Sequence, residues 1–578
     1  MKNLIRCALT VWMIAVCGLG CDDGTPDPTP DAGNPDVESP DAGTPDAGTP
    51  DSGTPDSGTP DSGIPDSGTP DAGYEWDGTY VPLEERGDNI DTGPLASCTR
   101  ILMDDAGVAV PCGSPQSFDL SPCNRGTLSQ ISPDGIYSVR ERPNGATLVS
   151  GFLSSGFQIS TSGGVETAHG YPLVQKQVDS QTLYLTSLRT LTDGGTQLYA
   201  FAGCEAQSAE HLTGCYQTCT NGGQRRSFGS FDAVRTQRLS EPEMSGIQFV
   251  SEQKVALGTP MDIYVTKGHA YVVSSDHGPA TEGGLTVIDV SDKAHPVVKK
   301  VVTLSGDNYW NSVWAKGDAL YVGSAKHGVL VYDISNPADP QLVRGVPGDA
   351  FDVHTIYVDG NRMYAQASGA NQVLIFDVSN PLDPVLLTRY TVPADGNGFG
   401  YPHDAFAYQN RLYINQMGQG YYVVDVTDGF NPLPLGSYTY DVQPFNPTHA
   451  NAVGTFAGRT IAFEGGENTN AHLRVLDVTD PAHIVKIGEF AMRPQTSIHN
   501  MVLVGKRLYV AWYAEGLRVL DVSNPTQPRQ IAYANTFRDS DPGRGEGLFV
   551  GAIGIRVPGD GYVYVVDMTR GLLIYREP

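Results

Sequence analysis

The chain has 578 residues, with 37 Lys and Arg against 65 Asp and Glu, which gives a formal net charge of −28. Its nearest approach to a basic cluster is the pair Arg225 and Arg226, so this composition excludes nucleic acid as a partner. The length is sufficient for more than one domain with its own core.

Residues 1–20 are predicted to be a signal peptide. Lys2 and Arg6 precede the apolar run CALTVWMIAVCGLG, which is too short to span a bilayer comfortably. The run ends in GLGC, which resembles the processing box of bacterial lipoproteins, although Gly18 stands where that box favours leucine. The resemblance implies that Cys21 is lipidated and anchors an exported protein to the cell envelope, with the outer membrane or cell surface favoured. An ordinary cleaved signal that releases a soluble protein is the alternative.

Residues 21–73 are predicted to be the lipidated cysteine followed by a disordered stalk. From Asp22 to Gly73 the chain is almost entirely TPDAG and TPDSG, without an aromatic or a basic residue. Such a sequence forms no core, and its 12 Asp and one Glu repel one another and extend the chain. A calcium site is disfavoured because isolated carboxylates on a flexible chain form no cage.

Residues 74–245 are predicted to form a smaller all-β domain, either a sandwich or a lipocalin-like barrel. Short strand-like runs such as GIYSVRER and TQLYAFAGC are separated by turns such as SPDG and TDGG. Six cysteines fall here and none in the rest of the chain that follows: Cys98, Cys112, Cys123, Cys204, Cys215 and Cys219.

In an exported domain, six cysteines indicate three disulfides, but the sequence does not choose among the pairings. A zinc site is the alternative, since Cys215 and Cys219 have a ligand-like separation and His211 is near. The absence of a second matched cysteine pair disfavours it.

Residues 246–578 contain a repeated phrase in which a short apolar strand ends in Asp and is followed by Ser or Thr and usually a proline turn. Its copies read GLTVIDVSDKAHP, GVLVYDISNPADP, QVLIFDVSNPLDP, YYVVDVTDGFNP, LRVLDVTDPAH and GLRVLDVSNPTQP, with a truncated GLLIYREP at the end. Each phrase lies in a unit of about 45 residues, the period of a four-stranded propeller blade. Seven units fit between Met261 and Pro578.

The last unit ends with the sequence and lacks a fourth strand. The run IQFVSEQKVAL, from Ile247 to Leu257, precedes the first unit and is predicted to supply that strand. This exchange would close the ring and leave only short sheet edges. The expected fold is therefore all-β, with a C-terminal seven-bladed propeller.

The repeated phrases resemble LVIVD repeats, a family of bacterial exported β-propeller repeats. The resemblance covers about the last 330 residues and implies the propeller architecture. It implies no particular activity, because propellers serve catalysis, binding and scaffolding alike.

Four histidines form the one pattern in the repeats that suggests chemistry. His354, His403 and His499 each stand ten residues before the tyrosine of a second strand, and His449 takes that place in the intervening unit. Asn311 and Met261 occupy it in the first two units. This position lies at the mouth of the central channel, where imidazoles can hold a transition metal or an anionic ligand. Alternatively, each histidine bonds to the backbone of the adjoining blade and fixes its geometry.

Two functions follow from these patterns. The favoured one is a surface-tethered, non-enzymatic binding or scaffold protein whose propeller recognises a protein, polysaccharide or other envelope component, with no cofactor. The alternative is a metal-dependent, lactonase-like hydrolase that uses the histidine arc. Common catalytic motifs such as GxSxG and HExxH are absent. The acidic sequence DSDPGRGEG, from Asp539 to Gly547, is interpreted as an exposed inter-blade loop.

Overall fold

The structure is a computed structural model that describes residues 75–88, 91, 93–144, 152–220, 224–255, 257–276, 282–346, 352–393, 400–440 and 446–578. The predicted signal peptide, Cys21 and the stalk lie outside these residues. Strands dominate, and the helices of the described part are four short 3-10 turns: Pro115–Ser117, Arg125–Gln130, Ser368–Ala370 and Pro481–His483. Of the helices in these ranges, none is long and apolar enough to cross a membrane.

The cysteine-rich region contains a closed barrel of eight antiparallel strands. The first strand pairs with both the second and the last, which closes the sheet. Rings of Phe157, Phe201 and Phe231 pack in its core. The strands are Gly135–Pro143, Leu153–Ile159, Thr167–Ala168, Tyr171–Asp179, Thr182–Thr190, Thr196–Ser208, His211–Thr220 and Gln224–Arg235.

Three disulfides, as predicted, tie the segment before the barrel to its wall. They join Cys98 to Cys215, Cys112 to Cys219, and Cys123 to Cys204. The same segment contributes a small two-stranded sheet, Thr99–Arg100 with Phe118–Asp119. The zinc alternative is therefore wrong: Cys215 and Cys219 point to different partners, and the His211 ring bonds Asp232 at 2.6 Å instead.

The repeats form seven antiparallel sheets, the blades of a propeller. Blades 1 to 3 consist of Thr259–Thr266, His269–Ser275, Gly284–Asp289 and Val297–Val302; Trp310–Lys316, Ala319–Ser324, Gly328–Asp333 and Gln341–Val346; and Val353–Asp359, Arg362–Ala367, Gln372–Asp377 and Val385–Thr391. Blades 4 and 5 consist of Tyr401–Tyr408, Arg411–Met417, Gly420–Asp425 and Leu433–Tyr438; and Thr448–Phe456, Arg459–Gly466, Leu473–Asp477 and Val485–Phe490.

Blades 6 and 7 complete the ring with help from the preceding chain. Blade 6 consists of Asn500–Val504, Arg507–Trp512, Gly516–Asp521 and Arg529–Ala534, with the short strand Met244–Ser245 added at its edge. Blade 7 has Ala552–Arg556, Tyr562–Asp567 and Gly571–Arg576. Its fourth strand is Gln248–Gln253, which pairs with Gly571–Arg576. The predicted closure of the ring is confirmed.

The repeated Asp ends the third strand of blades 1 to 6 and builds the turn that follows. Its carboxylate accepts a hydrogen bond from the backbone N–H two residues further on, at 2.7–3.0 Å. Aspartate stabilises such turns by this local contact. The apolar side chains before the Asp are buried on both faces because each blade packs between two others.

The barrel lies on one face of the propeller, and we call it the inter-blade face. This face carries the loops that join the fourth strand of one blade to the first strand of the next. The described hydrogen bonds and ion pairs between barrel and propeller all reach blades 5 to 7 and the loops between them. The buried Gln495 donates to Asp232 at 2.5 Å, and Arg493 donates to the carbonyl of Arg235 at 2.8 Å.

The loop from Asp539 to Gly547 joins blades 6 and 7, as predicted, but part of it lies in this interface, so the prediction that it is exposed holds only for residues such as Ser540 and Pro542. Arg235 of the barrel pairs with Asp539, and the Glu546 carboxylate accepts hydrogen bonds from Thr167 and from the N–H of Gly170, both at 2.5 Å. Two of the three acidic side chains of this loop therefore bind the barrel, while Asp541 pairs with Arg538 and Arg544. The sequence alone gave no sign of the partner that they meet.

Residues 75–88, at the start of the cysteine-rich region, pack on blade 5 instead of joining the barrel. Trp76 enters the core of that blade, and Leu83 donates its N–H to the carbonyl of Lys486 at 2.8 Å. Glu85 and Asp88 both bind Arg474, a fully buried residue of blade 5. The preceding chain is thus fastened to the propeller by buried ion pairs.

Candidate functional site

The four predicted histidines come together at the mouth of the central channel, on the inter-blade face. His354, His403 and His449 lie at the start of the first strands of blades 3, 4 and 5, and His499 directly precedes the first strand of blade 6. Neighbouring rings contact one another, with centroid distances of 4.3, 3.9 and 4.6 Å in chain order. The spacing in the sequence therefore predicted a real cluster.

Two of these histidines also bond to the adjoining blade. The Nδ1 atom of His449 lies 2.8 Å from the carbonyl oxygen of His499, and Nδ1 of His499 lies 2.8 Å from that of Ile553. At the equivalent place in blade 2, Asn311 donates to the carbonyl of His354 at 3.1 Å. The repeated position thus links successive blades whether it holds histidine or asparagine.

His354 and His403 make a different contact. Their Nε2 atoms face each other at 2.8 Å, so the two rings meet directly at the mouth. His403 is 6% exposed, whereas His354 is half-buried and forms the outer edge of the cluster. This difference gives the cluster one side that is open to the solvent.

Burial holds all four imidazoles in the neutral form at neutral pH. Loss of hydration lowers the pKa of His354, His449 and His499 to about 3 each, and the same cause lowers the pKa of His403 well below its ordinary value. A positive charge on His449 would also disfavour protonation of its neighbours. Neutral imidazole is the form that binds metal ions.

A carboxylate completes the cluster, and the sequence did not reveal it. Glu467 follows the second strand of blade 5, and its Oε2 lies 3.4 Å from Nε2 of His449. Its Oε1 accepts a hydrogen bond from the Tyr513 hydroxyl at 2.5 Å. His403, His449 and Glu467 each offer a ligand atom, and these atoms all lie within 4.8 Å of one another. Glu467 lies outside the repeated positions, so no periodicity could have identified it.

Aromatic and acidic groups surround the cluster on the open side. The ring centroid of Tyr309 lies 6.3 Å from that of His354, and the ring of Tyr401 lies 6.0 Å from that of His403. Asp352 is a further carboxyl here, and burial raises its pKa to about 6. Both of its oxygens are buried without a hydrogen-bond partner among the described residues.

Below the histidines, Asp404 and Asn451 form hydrogen bonds with backbone groups. The carboxylate of Asp404 accepts the N–H of Ala405 at 2.8 Å, and burial raises its pKa to about 7. Asn451 donates to the carbonyl of Tyr413 at 3.3 Å. Asn451 therefore lies in the packing between blades 4 and 5, where it also accepts a hydrogen bond from the Tyr421 hydroxyl at 3.2 Å. Asn500 begins the first strand of blade 6 beside His499.

A comparison with protein-family models supports the architecture. The family model "LVIVD repeat" matches residues 257–303, 309–346, 347–392 and 498–536, which correspond to blades 1, 2, 3 and 6. The chain therefore contains LVIVD repeats. Blades 4, 5 and 7 share the fold but lie outside the matched segments. No curated protein matches the chain.

Several solved structures are also similar. The WD40 β-propeller domain of Doa1 is 12% identical with a TM-score of 0.41, covering 58% of this chain and 98% of that one. Sqt1 of Saccharomyces cerevisiae is 11% identical with a TM-score of 0.40, covering 57% and 99%. The designed protein Ika8 is 12% identical with a TM-score of 0.35, covering 64% and 95%. At this level of similarity we draw no functional argument from them.

Proposed function

We propose that this protein is a surface-tethered lipoprotein whose propeller is a non-enzymatic binding or scaffold module for an envelope or extracellular ligand. The observation that carries the proposal is the position of the barrel. It is fixed by buried polar contacts over blades 5 to 7, while Tyr309, His354 and Tyr401 remain half-buried around the channel mouth on the same face. The ligand would bind at this remaining part of the inter-blade face.

The chemistry of the mouth favours a neutral or cationic polysaccharide over an anionic polymer. Tyrosine rings offer an apolar face together with a hydroxyl, which suits contact with sugar rings. Burial raises the pKa of Tyr309, and the carboxylates Asp352, Glu467 and Asp276 raise it further. The negative potential of these carboxylates would repel an anionic polysaccharide.

Export and tethering rest on different observations. Three disulfides indicate an oxidising compartment. The sequence before the described residues has the features of a lipoprotein signal and an acidic spacer. Replacing Cys21 by Ser should release a folded protein from the membrane fraction. Retention of the Cys21→Ser protein in membranes would contradict the lipid anchor.

The soluble Cys21→Ser protein also provides the ligand test. It would be titrated against neutral, cationic and anionic polysaccharides and against isolated cell envelopes, with and without the change Tyr401→Ala. The matched control is Tyr408→Ala, because Tyr408 is also half-buried and lies at the opposite end of the same strand. We expect saturable binding that Tyr401→Ala weakens and Tyr408→Ala leaves intact. If both variants bound as tightly as the Cys21→Ser parent, the channel mouth would not be the ligand site. Binding to cell envelopes that no polysaccharide inhibits would indicate a protein ligand instead.

The hydrolase alternative has one observation in its favour, the convergence of His403, His449 and Glu467. That convergence does not by itself specify a substrate or a reaction.

A further inference from the structure

The contact between His449 and Glu467 brings two hydrogen-bond acceptors together. Nδ1 of His449 faces a carbonyl oxygen at 2.8 Å, and a carbonyl can only accept, so the proton of the neutral ring lies on Nδ1. The Nε2 atom then carries a lone pair. It has no hydrogen-bond partner in the described structure and points towards the Glu467 carboxylate at 3.4 Å. Two such groups repel unless a cation lies between them.

The surrounding atoms hold these two acceptors in place. The carbonyl of His499 orients the His449 ring, and the Tyr513 hydroxyl donates to the other oxygen of Glu467. Metal-ligating histidines typically donate their second ring N–H to a backbone carbonyl or a carboxylate in this way, and ligating carboxylates are hydrogen-bonded in turn. The site therefore has an outer layer of contacts as well as ligand atoms.

The separation between the His449 and Glu467 ligand atoms matches that around a metal ion. With metal–nitrogen distances of about 2.0–2.1 Å, adjacent ligand atoms lie about 3.0 Å apart in octahedral geometry and about 3.4 Å apart in tetrahedral geometry. The distance from His449 Nε2 to Glu467 Oε2 is 3.4 Å, and the ligand atoms of His403, His449 and Glu467 all lie within 4.8 Å of one another. The 2.8 Å contact between the Nε2 atoms of His354 and His403 is that of a hydrogen bond, which places His354 beside the ligand set.

We propose that His403, His449 and Glu467 bind a divalent first-row transition metal ion at the channel mouth. Two imidazoles and one carboxylate form a donor set that suits zinc, iron, copper or nickel better than calcium or magnesium. His354 is half-buried, so an ion reaches the site from the open part of the inter-blade face. This inference goes beyond the proposed binding function and holds whether or not a polysaccharide binds.

The experiment uses the purified Cys21→Ser protein after treatment with a chelator. Zn²⁺ and Co²⁺ are titrated separately by calorimetry, and the visible absorption of bound Co²⁺ reports nitrogen ligation and coordination number. Thermal unfolding with and without Zn²⁺ provides a second readout, because an ion that binds only the folded state raises the midpoint. We expect one ion per chain and a raised midpoint.

Glu467→Gln is the main variant because it keeps the shape of the side chain but removes its charge. We expect it to weaken metal binding at least about 100-fold, as the loss of a ligand should exceed the 10-fold to 100-fold cost of losing an outer contact. The amide that replaces the carboxylate can donate to Nε2 of His449, so the metal-free variant should be at least as stable as the parent. His403→Asn removes a second ligand of the set and should weaken binding similarly.

The matched control is His295→Ala. Nδ1 of His295 lies 2.9 Å from the Asp292 carboxylate in an exposed turn, so this pair reports adventitious binding to a surface histidine and carboxylate. We expect no effect of this change. The proposal is overturned if no ion binds stoichiometrically, or if Glu467→Gln and His403→Asn bind it as tightly as the parent. It is also overturned if Glu467→Gln destabilises the metal-free protein, because Glu467 would then pair with a protonated His449.

Discussion

Blades 3 and 5 use the same backbone position for opposite purposes. Leu374, in the third strand of blade 3, is buried in an apolar cluster. Arg474 occupies the same place in the repeat of blade 5 and is equally buried, but its guanidinium binds Asp88 at 2.8 Å and Glu85 at 2.9 Å. It also stacks on the Tyr440 ring at 3.7 Å. A repeat can thus exchange a core leucine for a buried cation when another segment supplies the anions.

Blade 6 repeats this solution with different partners. Arg518 stands at the position of Arg474, and the buried Glu515 binds it at 3.1 Å. Glu515 also pairs with Arg493 at 2.6 Å and with Arg238, from the chain that leaves the barrel, at 2.8 Å. A buried charge without its partner is costly, so Arg474 requires residues 75–88 to dock, whereas Arg518 finds its anion, Glu515, within blade 6.

The blades of the ring therefore fall into two groups. Blades 1 to 3 carry uncharged side chains at this position, namely Thr286, Leu330 and Leu374. Blades 5 and 6 depend on chain that precedes the propeller, and blade 7 takes its fourth strand from the same region. Changes to that preceding chain should damage blades 5 to 7 while sparing the local structure of blades 1 to 3.

The largest effect is expected from deletion of residues 241–258. This deletion removes the fourth strand of blade 7 and the edge strand of blade 6, so it opens the ring and exposes an unpaired sheet edge. We expect aggregation or unfolding, measured by size-exclusion chromatography and circular dichroism. An equal-length deletion within the stalk should leave both measurements unchanged. A deletion protein as stable as the parent would show that the strand exchange does not close the ring.

The strands of the ring were predictable because they repeat. The Asp-ended phrase marked the third strands, and the unpaired run at Ile247–Leu257 indicated closure. The histidine cluster followed from the same alignment. The sequence did not predict Glu467, the disulfide pairing or the anions around Arg474. Each of these depends on residues far apart in sequence that meet only in the folded protein. Asp88 and Arg474, for example, are separated by 386 positions.

The next largest effect is expected from Arg474→Leu, which gives blade 5 the residue of blade 3. Asp88 is fully buried and would lose its guanidinium partner, and burial raises the pKa of the nearby Glu464 to about 7 even with Arg474 present. We expect a loss of about 3–5 kcal/mol in the free energy of unfolding, measured by urea denaturation.

Arg529→Leu is the control for that substitution. Arg529 pairs with Asp521 at 3.2 Å but is half-exposed, so its replacement should cost no more than about 1 kcal/mol. If Arg474→Leu cost as little as this control, the buried ion pairs would not be what fastens the preceding segment to blade 5.

The smallest effect is the weakening by acidic pH of the docking of residues 75–88 on blade 5. Burial alone would raise the pKa of Glu85, but attraction to Arg474 and hydrogen bonds from Arg474 and Tyr438 outweigh it and lower the pKa from 4.5 to about 2. The undocked segment therefore takes up a proton near pH 4.5, whereas the docked one does so near pH 2. The contribution of Glu85 is complete above about pH 4.5 and disappears as the pH falls towards about 2.

Hydrogen exchange of the segment 75–88 would measure this contribution in the parent and in Glu85→Gln. At neutral pH the lowered pKa sets an upper limit of about 3.5 kcal/mol, at about 1.4 kcal/mol for each pKa unit. Because Glu85 is partly exposed and solvent screens its charge, the variant should dock less tightly by about 2–3 kcal/mol. The difference between the two proteins should shrink below about pH 4.5, because a protonated carboxyl group and the amide that replaces it are both uncharged. Asp88 and Glu464 are present in both proteins, so the difference between the two proteins excludes the contribution of their titration. A difference that stays constant down to pH 3 would mean that the charge of Glu85 does not hold the segment on blade 5.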